Sequence, residues 1–411
     1  MRVVMNKEHF AVLVRGFCVN LSNTPQTVIF ESVAEGSAPA SAMKVEIGNG
    51  EDETSTANAI QRSYEAWKKS NALNGSNEGK ILLPSCVALC ANGKTETLYW
   101  IGSDIDSALK RFAKKDATPE FLPVLKGGIA IDPSERALVV KNKIALVTGG
   151  AQGIGEEIVR NLVAAGALVF IADLNLEGAK NLADAINSEE GRTAAIAIKT
   201  NVCDEASVEA MFKTIAETSG GLDLCVSNAG VLKAGSVLEQ PLGDFKFVTD
   251  INYTGFFIIC KYAGRILRTQ HLTAPDWKTD IVQINSKSGL EGSNKNGAYS
   301  GGKFGGLGLV ASFAMELVEY NIKVNAICPG NFLDGPLWSD PEKGLFVQYL
   351  KTGKVQGAKT VADVRAFYES KVPMKRGCTG KDLARALFYI VEQEYETGQA
   401  IPVTGGQVML H

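Results

Sequence analysis

The chain has 411 residues, a formal net charge of −3, 45% hydrophobic residues and 21% charged residues. A chain of this length exceeds one ordinary hydrophobic core, so we expect two domains. Because neither basic runs nor a basic balance is found, nucleic acid and acidic membranes are not expected partners. No apolar run approaches the roughly 18–20 residues of a membrane span, and the first residues lack the pattern of a signal peptide. These features favour a cytoplasmic location.

The cysteines and histidines show no pattern typical of a disulfide framework or a metal site. Eight cysteines are scattered along the chain without a CxxC pair, as expected for reduced thiols in a hydrophobic core. Only three histidines occur, and His9, His271 and His411 are far apart in sequence. We therefore expect no metal site.

Residues 1–138 contain no catalytic motif, and their patterning predicts a small α+β domain. The predicted elements are strands at 10–14, 27–30, 81–90 and 97–101, helices at 57–72 and 103–114, and a loop at 36–56. Prolines and a Gly-Gly pair between 119 and 136 predict a boundary, which gives domains 1–138 and 139–411. The first domain is expected to serve packing or assembly, with a regulatory role or a remnant of a fused enzyme left open.

A glycine-rich turn follows the segment KIALVTGG, which predicts a short buried strand, and precedes a predicted amphipathic helix. Gly149, Gly153 and Gly155 have the spacing TGxxxGxG, which allows a tight turn and close approach of a pyrophosphate to the helix N-terminus. The next strand ends in Asp173, where a carboxylate can accept hydrogen bonds from the adenosine ribose. Because this carboxylate repels a 2′-phosphate and Gln152 offers no cation, NAD is favoured over NADP.

Strands and helices alternate through the rest of the chain. The predicted strands are 194–199, 224–227, 280–285 and 323–328, and the predicted helices are 206–218, 244–270 and 298–320. This order predicts an α/β fold, a Rossmann-type doubly wound parallel sheet with a smaller N-terminal α+β domain. Ligands bind beyond the carboxyl ends of such strands, where Asp173, Ser286 and Pro329 are expected.

Tyr299 and Lys303 lie one helical turn apart on the predicted helix 298–320. A nearby cation favours the ionised form of a phenol, whose ordinary pKa is about 10. The pair is therefore a candidate for proton exchange with an alcohol near neutral pH. Its position after the glycine turn and after Ser286 makes this a prediction of catalysis rather than of surface decoration.

With these motifs in place, residues 139–411 resemble the short-chain dehydrogenase/reductase family. The motifs that carry the resemblance are TGGAQGIG at 148–155, SNAG at 227–230, Asn252, Ser286, Tyr299-x-x-x-Lys303 and Pro329-Gly330. The resemblance implies that Tyr299 is the acid/base and that Lys303 lowers its pKa and binds the nicotinamide ribose. It also implies that Ser286 orients the substrate and that Asn252 holds a water of the proton relay.

The predicted cofactor site combines the glycine turn, Asp173 and positions implied by the family. It consists of Gly149, Gln152, Gly153, Ile154, Gly155, Asp173, Asn228, Ala229, Gly230, Tyr299, Lys303, Pro329 and Gly330. Three positions depart from the family pattern: Asn201 replaces an Asp near adenine, Asp334 replaces a Thr near the carboxamide, and Thr404 replaces the Asp of V-D-G-G. Asn201 and Asp334 are therefore left out of the predicted site.

The segments NSKSG, AYSGGKFGGLGL, KVPMKRGC and VTGGQVML are similar to bacterial sorbitol-6-phosphate 2-dehydrogenases. This similarity implies NAD-linked interconversion of D-sorbitol 6-phosphate and D-fructose 6-phosphate. A substrate phosphate favours two or three cations, so the predicted substrate site is Ser286, Lys287, Lys375 and Arg376, under a lid formed by residues 331–371. Another polyol or sugar as substrate, or an idle NAD-sensing or scaffold protein, stays open. The family implies a homo-oligomer, a tetramer or a dimer.

Overall fold

The computed structural model describes residues 6–33, 38–48, 51–71, 80–91, 94–123, 139–342, 344–351, 353 and 355–409. The strands, in chain order, are β1 (Thr27–Ser32), β2 (Met43–Glu46), β3 (Lys80–Leu83), β4 (Cys86–Ala91), β5 (Lys94–Gly102), β6 (Glu120–Pro123), β7 (Ile144–Thr148), β8 (Leu168–Asp173), β9 (Ala195–Lys199), β10 (Leu224–Ser227), β11 (Thr279–Ile284), β12 (Ile322–Pro329) and β13 (Ala400–Val403). The α-helices are α1 (Lys7–Ser22), α2 (Glu53–Asn71), α3 (Ile105–Lys114), α4 (Gly153–Ala164), α5 (Leu176–Glu190), α6 (Glu205–Ser219), α7 (Leu242–Thr249), α8 (Gly255–His271), α9 (Gly297–Leu317), α10 (Pro336–Ser339), α11 (Leu345–Lys351), α12 (Val361–Ser370) and α13 (Gly380–Glu392).

The larger sheet has seven strands in the order β13-β12-β11-β10-β7-β8-β9, and every neighbouring pair is parallel. Successive side chains of a strand point to opposite faces, so Ala145 and Val147 pack in one hydrophobic core and Ile144 and Leu146 in the other. Helices cover both faces, and the Rossmann-type α/β prediction is confirmed. Among the described residues, no helix is both long and apolar enough to cross a membrane.

The N-terminal module, defined as the described residues between 6 and 123, has a four-stranded sheet in the order β1-β5-β4-β2 and a small β3-β6 pair. The strand predicted at 10–14 is wrong, because these residues lie in α1, which starts at the N-cap Asn6. Short apolar runs do not distinguish a strand from a helix that is buried on several sides. The loop predicted at 36–56 is also wrong in part, since it contains β2 and the start of α2.

Helix α1 packs between the rest of the module and helices α6 and α8, which cover the larger sheet. A Cβ atom at Gly16 would lie 2.5 Å from Thr273 Oγ1, so glycine permits this close approach. The fully buried Arg15 donates from Nη2 to Asp223 Oδ2 at 2.6 Å, and from Nη1 to Gln270 Oε1 at 2.7 Å. Asp223 directly precedes β10, so the module docks at the amino ends of the parallel strands. The boundary expected near residue 138 lies outside the described residues, and the division into domains stays a prediction.

The segment after Gly330 forms α10, α11 and α12, with a small hydrophobic core of its own around Leu333, Phe346 and Val364. Within α10, Pro336 lies beside the glycine turn: its Cδ is 3.5 Å from the position of a Cβ at Gly153. The segment predicted as a lid therefore begins over the predicted pyrophosphate site.

Candidate active site

The glycine turn joins β7 to α4 with a backbone that glycine adopts readily. Gly149 and Gly153 have φ angles of 60° and 61°, in the left-handed region. At Gly155 a Cβ would lie 2.0 Å from the Gly149 carbonyl oxygen, which no larger residue tolerates. The N-cap residue Gln152 makes no side-chain hydrogen bond to the first turn of α4, so these N–H groups are not capped by that side chain. Such a helix N-terminus fits the negative charge of a dinucleotide diphosphate.

Asp173 lies beside this turn at the carboxyl end of β8. Its Oδ2 accepts a hydrogen bond from Ala151 N at 3.1 Å, and its Oδ1 accepts one from Asn175 N at 2.9 Å. Asn228, after β10, donates from Nδ2 to the carbonyl oxygens of Thr148 and Gly149 at 3.0 and 2.9 Å. The ends of three neighbouring strands therefore meet where the sequence predicts the cofactor.

The remaining predicted cofactor residues lie on the same edge of the sheet. Ala229 donates its backbone N–H to Thr148 Oγ1 at 3.1 Å, and Ile154 belongs to the first turn of α4. Pro329 ends β12, and Gly330 donates its backbone N–H to Val403 O at 2.9 Å. These residues follow the carboxyl ends of β7, β10 and β12, as ligand sites in such sheets do.

Ser286, Tyr299 and Lys303 come together at the junction of β11 and α9. The Ser286 side chain acts on the Tyr299 hydroxyl and lowers its pKa. Lys303 donates from Nζ to Ile284 O at 2.8 Å, and its ammonium lies 5.6 Å from the centroid of the Tyr299 ring. A hydroxyl, a phenol and an ammonium in this arrangement can hold a substrate oxygen and move its proton.

Asn252 lies in a π-helical turn, Asp250–Thr254, which separates α7 from α8. Its Oδ1 accepts from Val231 N at 2.9 Å and its Nδ2 donates to Val231 O at 2.8 Å. The sequence predicted one uninterrupted helix from 244 to 270, and no residue pattern marks the extra residue of this turn. Single π-turns are frequent at functional sites. This one places Asn252 beside Gly230, since a Cβ atom at Gly230 would lie 2.9 Å from Asn252 Oδ1.

Burial dominates the ionisation of the Tyr299–Lys303 pair. Burial raises the pKa of Tyr299, and the neighbouring Ser286 side chain lowers it by a smaller amount. Burial also lowers the pKa of Lys303 to about 8. Burial therefore opposes the lowering of the Tyr299 pKa by Lys303 that the family resemblance implies, because desolvation disfavours the charged form of both groups.

The three cations predicted to bind a substrate phosphate each have a partner within the chain. Lys287 Nζ lies 3.6 Å from Glu291 Oε1, and Lys375 donates from Nζ to Ser370 O at 2.8 Å. Arg376 forms two hydrogen bonds to Asp382, and these hold the pKa of that carboxyl at about 2. Lys287 directly follows Ser286, whereas Arg376 lines a cavity of about 390 Å³ whose lining includes none of the catalytic candidates.

Two of the departures from the family pattern have a structural role here. Asp334 Oδ1 accepts a hydrogen bond from Arg365 Nη2 at 2.6 Å, which ties α12 to the loop between β12 and α10. Thr404 Oγ1 accepts one from Val408 N at 3.3 Å and closes the C-terminal turn. The pairing of Arg365 was not predicted, because nothing in the sequence relates two residues so far apart.

A family model described as short chain dehydrogenase matches residues 143–340. Sorbitol-6-phosphate 2-dehydrogenase from Escherichia coli K12 is 36% identical over 270 residues, which are 65% of this chain and 99% of that protein. Together with the glycine turn and the Ser286–Tyr299–Lys303 arrangement, these similarities define an oxidoreductase that acts on alcohol or ketone groups with a nicotinamide cofactor.

The chain belongs to the short-chain dehydrogenase family. The crystal structure of sorbitol-6-phosphate 2-dehydrogenase from Erwinia amylovora is 40% identical, with a TM-score of 0.59, over 65% of this chain and 100% of that one. An actinorhodin polyketide ketoreductase solved with NADPH is 26% identical, with a TM-score of 0.57, over 64% of this chain and 97% of that one. These matches leave about a third of the chain as residues beyond the dehydrogenase domain.

Proposed function

We propose that the protein is an NAD-dependent dehydrogenase that interconverts a sugar-alcohol phosphate and a keto-sugar phosphate. D-Sorbitol 6-phosphate and D-fructose 6-phosphate are the first candidates. The observation that carries the proposal is the similarity to sorbitol-6-phosphate 2-dehydrogenases from two bacteria over essentially their whole length. The intact Ser286–Tyr299–Lys303 geometry supports catalysis over an idle NAD-sensing role.

The preference for NAD rests on the surroundings of Asp173. Its carboxylate lies within hydrogen-bonding distance of the Ala151 backbone, at the edge of the glycine turn. A 2′-phosphate at this place would meet a negative charge, and Leu174 and Asn175, which follow Asp173, offer no cation. A ketoreductase of the same fold was solved with NADPH, so the fold alone does not decide between NAD and NADP. The preference therefore has to be measured.

In the proposed oxidation, the chain's residues hold the substrate and move one proton. Ser286 binds the reacting hydroxyl, and the ionised Tyr299 accepts its proton. Lys303, fixed by Ile284 O, places a positive charge beside the phenolate. The bound nicotinamide supplies the hydride exchange. The reverse reaction uses the same groups, with Tyr299 as the acid.

A substrate panel tests the proposal with the purified full-length chain. We expect kcat/KM for D-sorbitol 6-phosphate with NAD to exceed that for sorbitol by at least about 100-fold, since two charge-assisted hydrogen bonds to a phosphate are worth about 3 kcal/mol. We also expect NADP to be the poorer cofactor. Equal rates with and without the phosphate group would rule out the sugar-phosphate assignment. Retained NAD binding without turnover of any polyol or ketose would favour the sensor.

Of the three proposed phosphate contacts, Lys287 is the nearest in sequence to the reacting centre, because it directly follows Ser286. We expect Lys287→Ala to raise KM for the phosphorylated substrate about 10-fold, the loss of one charge-assisted hydrogen bond, with little change for the unphosphorylated one. Lys278→Ala is the matched control, since this lysine pairs with Glu394 beside the other end of β11. Equal KM values for wild type and Lys287→Ala would remove Lys287 from the substrate site.

Lys375 and Arg376 as further phosphate contacts remain predictions. Their partners within the chain, Ser370 O and Asp382, would compete with a substrate phosphate for the same donors. The expected self-association and the cytoplasmic location also remain predictions.

A further inference from the structure

Two buried amide side chains fill the space between β11 and α9, behind the catalytic groups. Asn285, which is 4% exposed, accepts a hydrogen bond from Ser286 N at its Oδ1, at 2.8 Å. From Nδ2 it donates to Lys303 O at 2.9 Å and to Gln283 Oε1 at 2.7 Å. One side chain is therefore bonded to the backbone of two catalytic residues, one on the strand side and one on the helix.

Two glycines leave room for these amides. A Cβ at Gly289 would lie 2.2 Å from Asn285 Oδ1, and a Cβ at Gly306 would lie 2.6 Å from Gln283 Nε2. Both glycines have ordinary φ angles, so clearance for the amides, rather than a left-handed backbone, accounts for the absence of a side chain. A buried network of this kind is rigid when every member has a partner, and it loses its geometry when one is removed.

We propose that Asn285 is a positioning residue of the reaction, which fixes the distance between Ser286 on the strand side and Tyr299 and Lys303 on the helix. The inference rests on the oxidoreductase activity of the site and does not depend on the substrate being a phosphate. Ser286 meets the Tyr299 hydroxyl only if β11 and α9 keep their spacing. A misplacement of about 1 Å at a reacting centre lowers rates about 100-fold.

The test compares Asn285→Ala with Asn325→Ala in the full-length chain. Asn325 is a matched control because it is 1% exposed and lies on the adjacent strand β12. In the described part of the chain, its side chain bonds only to Glu396 O and Gln399 N. With the best substrate of the panel, we expect Asn285→Ala to lower kcat about 100-fold and to change the cofactor KM little. Asn325→Ala should keep kcat within about 3-fold at a similar loss of thermal stability.

The pKa of Tyr299, measured by NMR, gives a readout that does not need turnover. We expect it to rise in Asn285→Ala, because a displaced Ser286 side chain opposes the effect of burial on this pKa less strongly, and to stay unchanged in Asn325→Ala. If kcat falls equally in both variants, or if Asn285→Ala leaves both kcat and the Tyr299 pKa unchanged, Asn285 is structural only. A wild type without turnover would contradict the proposed function, while the shift in the Tyr299 pKa would still decide the role of Asn285.

Discussion

Replacing Tyr299 by phenylalanine is expected to lower kcat by about 10²–10⁴-fold, the usual contribution of a positioned acid or base. The Ser286 side chain acts on the phenol and the Lys303 ammonium lies beside its ring, and within the described site no other side chain combines these two neighbours. Removal of one hydroxyl leaves the ring in place, so the thermal midpoint should change little. Steady-state kinetics with NAD and the best substrate of the panel measure the effect.

Tyr320→Phe is the matched control, since Tyr320 lies in the 3₁₀ turn that follows α9 and packs at the edge of a hydrophobic core. Its kcat should stay close to that of the wild type. If Tyr299→Phe kept more than about a tenth of the wild-type kcat, the proton would be moved by another group, and the assignment of Tyr299 as acid/base would be wrong.

Replacing Arg15 by alanine is expected to lower the free energy of unfolding by about 3–5 kcal/mol. Burial alone would raise the pKa of Asp223, but Arg15 and Lys143 outweigh it and hold this pKa below its ordinary value. Without Arg15, the Asp223 carboxylate loses the guanidinium that it pairs with and keeps only the charge of Lys143, in a site closed to water. The midpoint of urea unfolding, followed in the full-length chain, measures the loss.

Two controls separate this effect from the general cost of losing an arginine. Arg160→Ala removes an exposed pair with Glu156 and should cost less than about 1 kcal/mol. Adding Asp223→Asn to Arg15→Ala should recover part of the loss, because no uncompensated charge remains buried. A cost for Arg15→Ala as small as that for Arg160→Ala would mean that water reaches the Arg15–Asp223 ion pair.

The position of the Arg15–Asp223 ion pair also predicts that its loss lowers stability without changing catalysis. Arg15 and Asp223 lie at the amino ends of the strands, whereas Ser286 and Asp173 follow the carboxyl ends. At a temperature where the variant is still folded, Arg15→Ala should keep the KM values of the wild type. Such a result would mean that the described part of the N-terminal module stabilises the fold and takes no part in substrate or cofactor binding.

The sequence by itself was sufficient for the features that short stretches of chain encode. A buried strand, three glycines at fixed spacing and a helix define the turn at 149–155 through local steric and hydrogen-bonding demands. The alternation of strands and helices implies a parallel sheet, which places Ser286 and Pro329 at the same edge. The helical spacing of Tyr299 and Lys303 is likewise a local property.

Only the tertiary structure decided the features that depend on contacts between distant residues. Residues 10–14 are helical because α1 is enclosed by a sheet on one side and by α6 and α8 on the other. The partner of Arg15 is Asp223, far along the chain, and the partner of Arg376 is the nearby Asp382, but neither pairing follows from a pattern. A periodic sequence shows that a side chain is buried or charged, but the group that it meets depends on how the helices and strands pack.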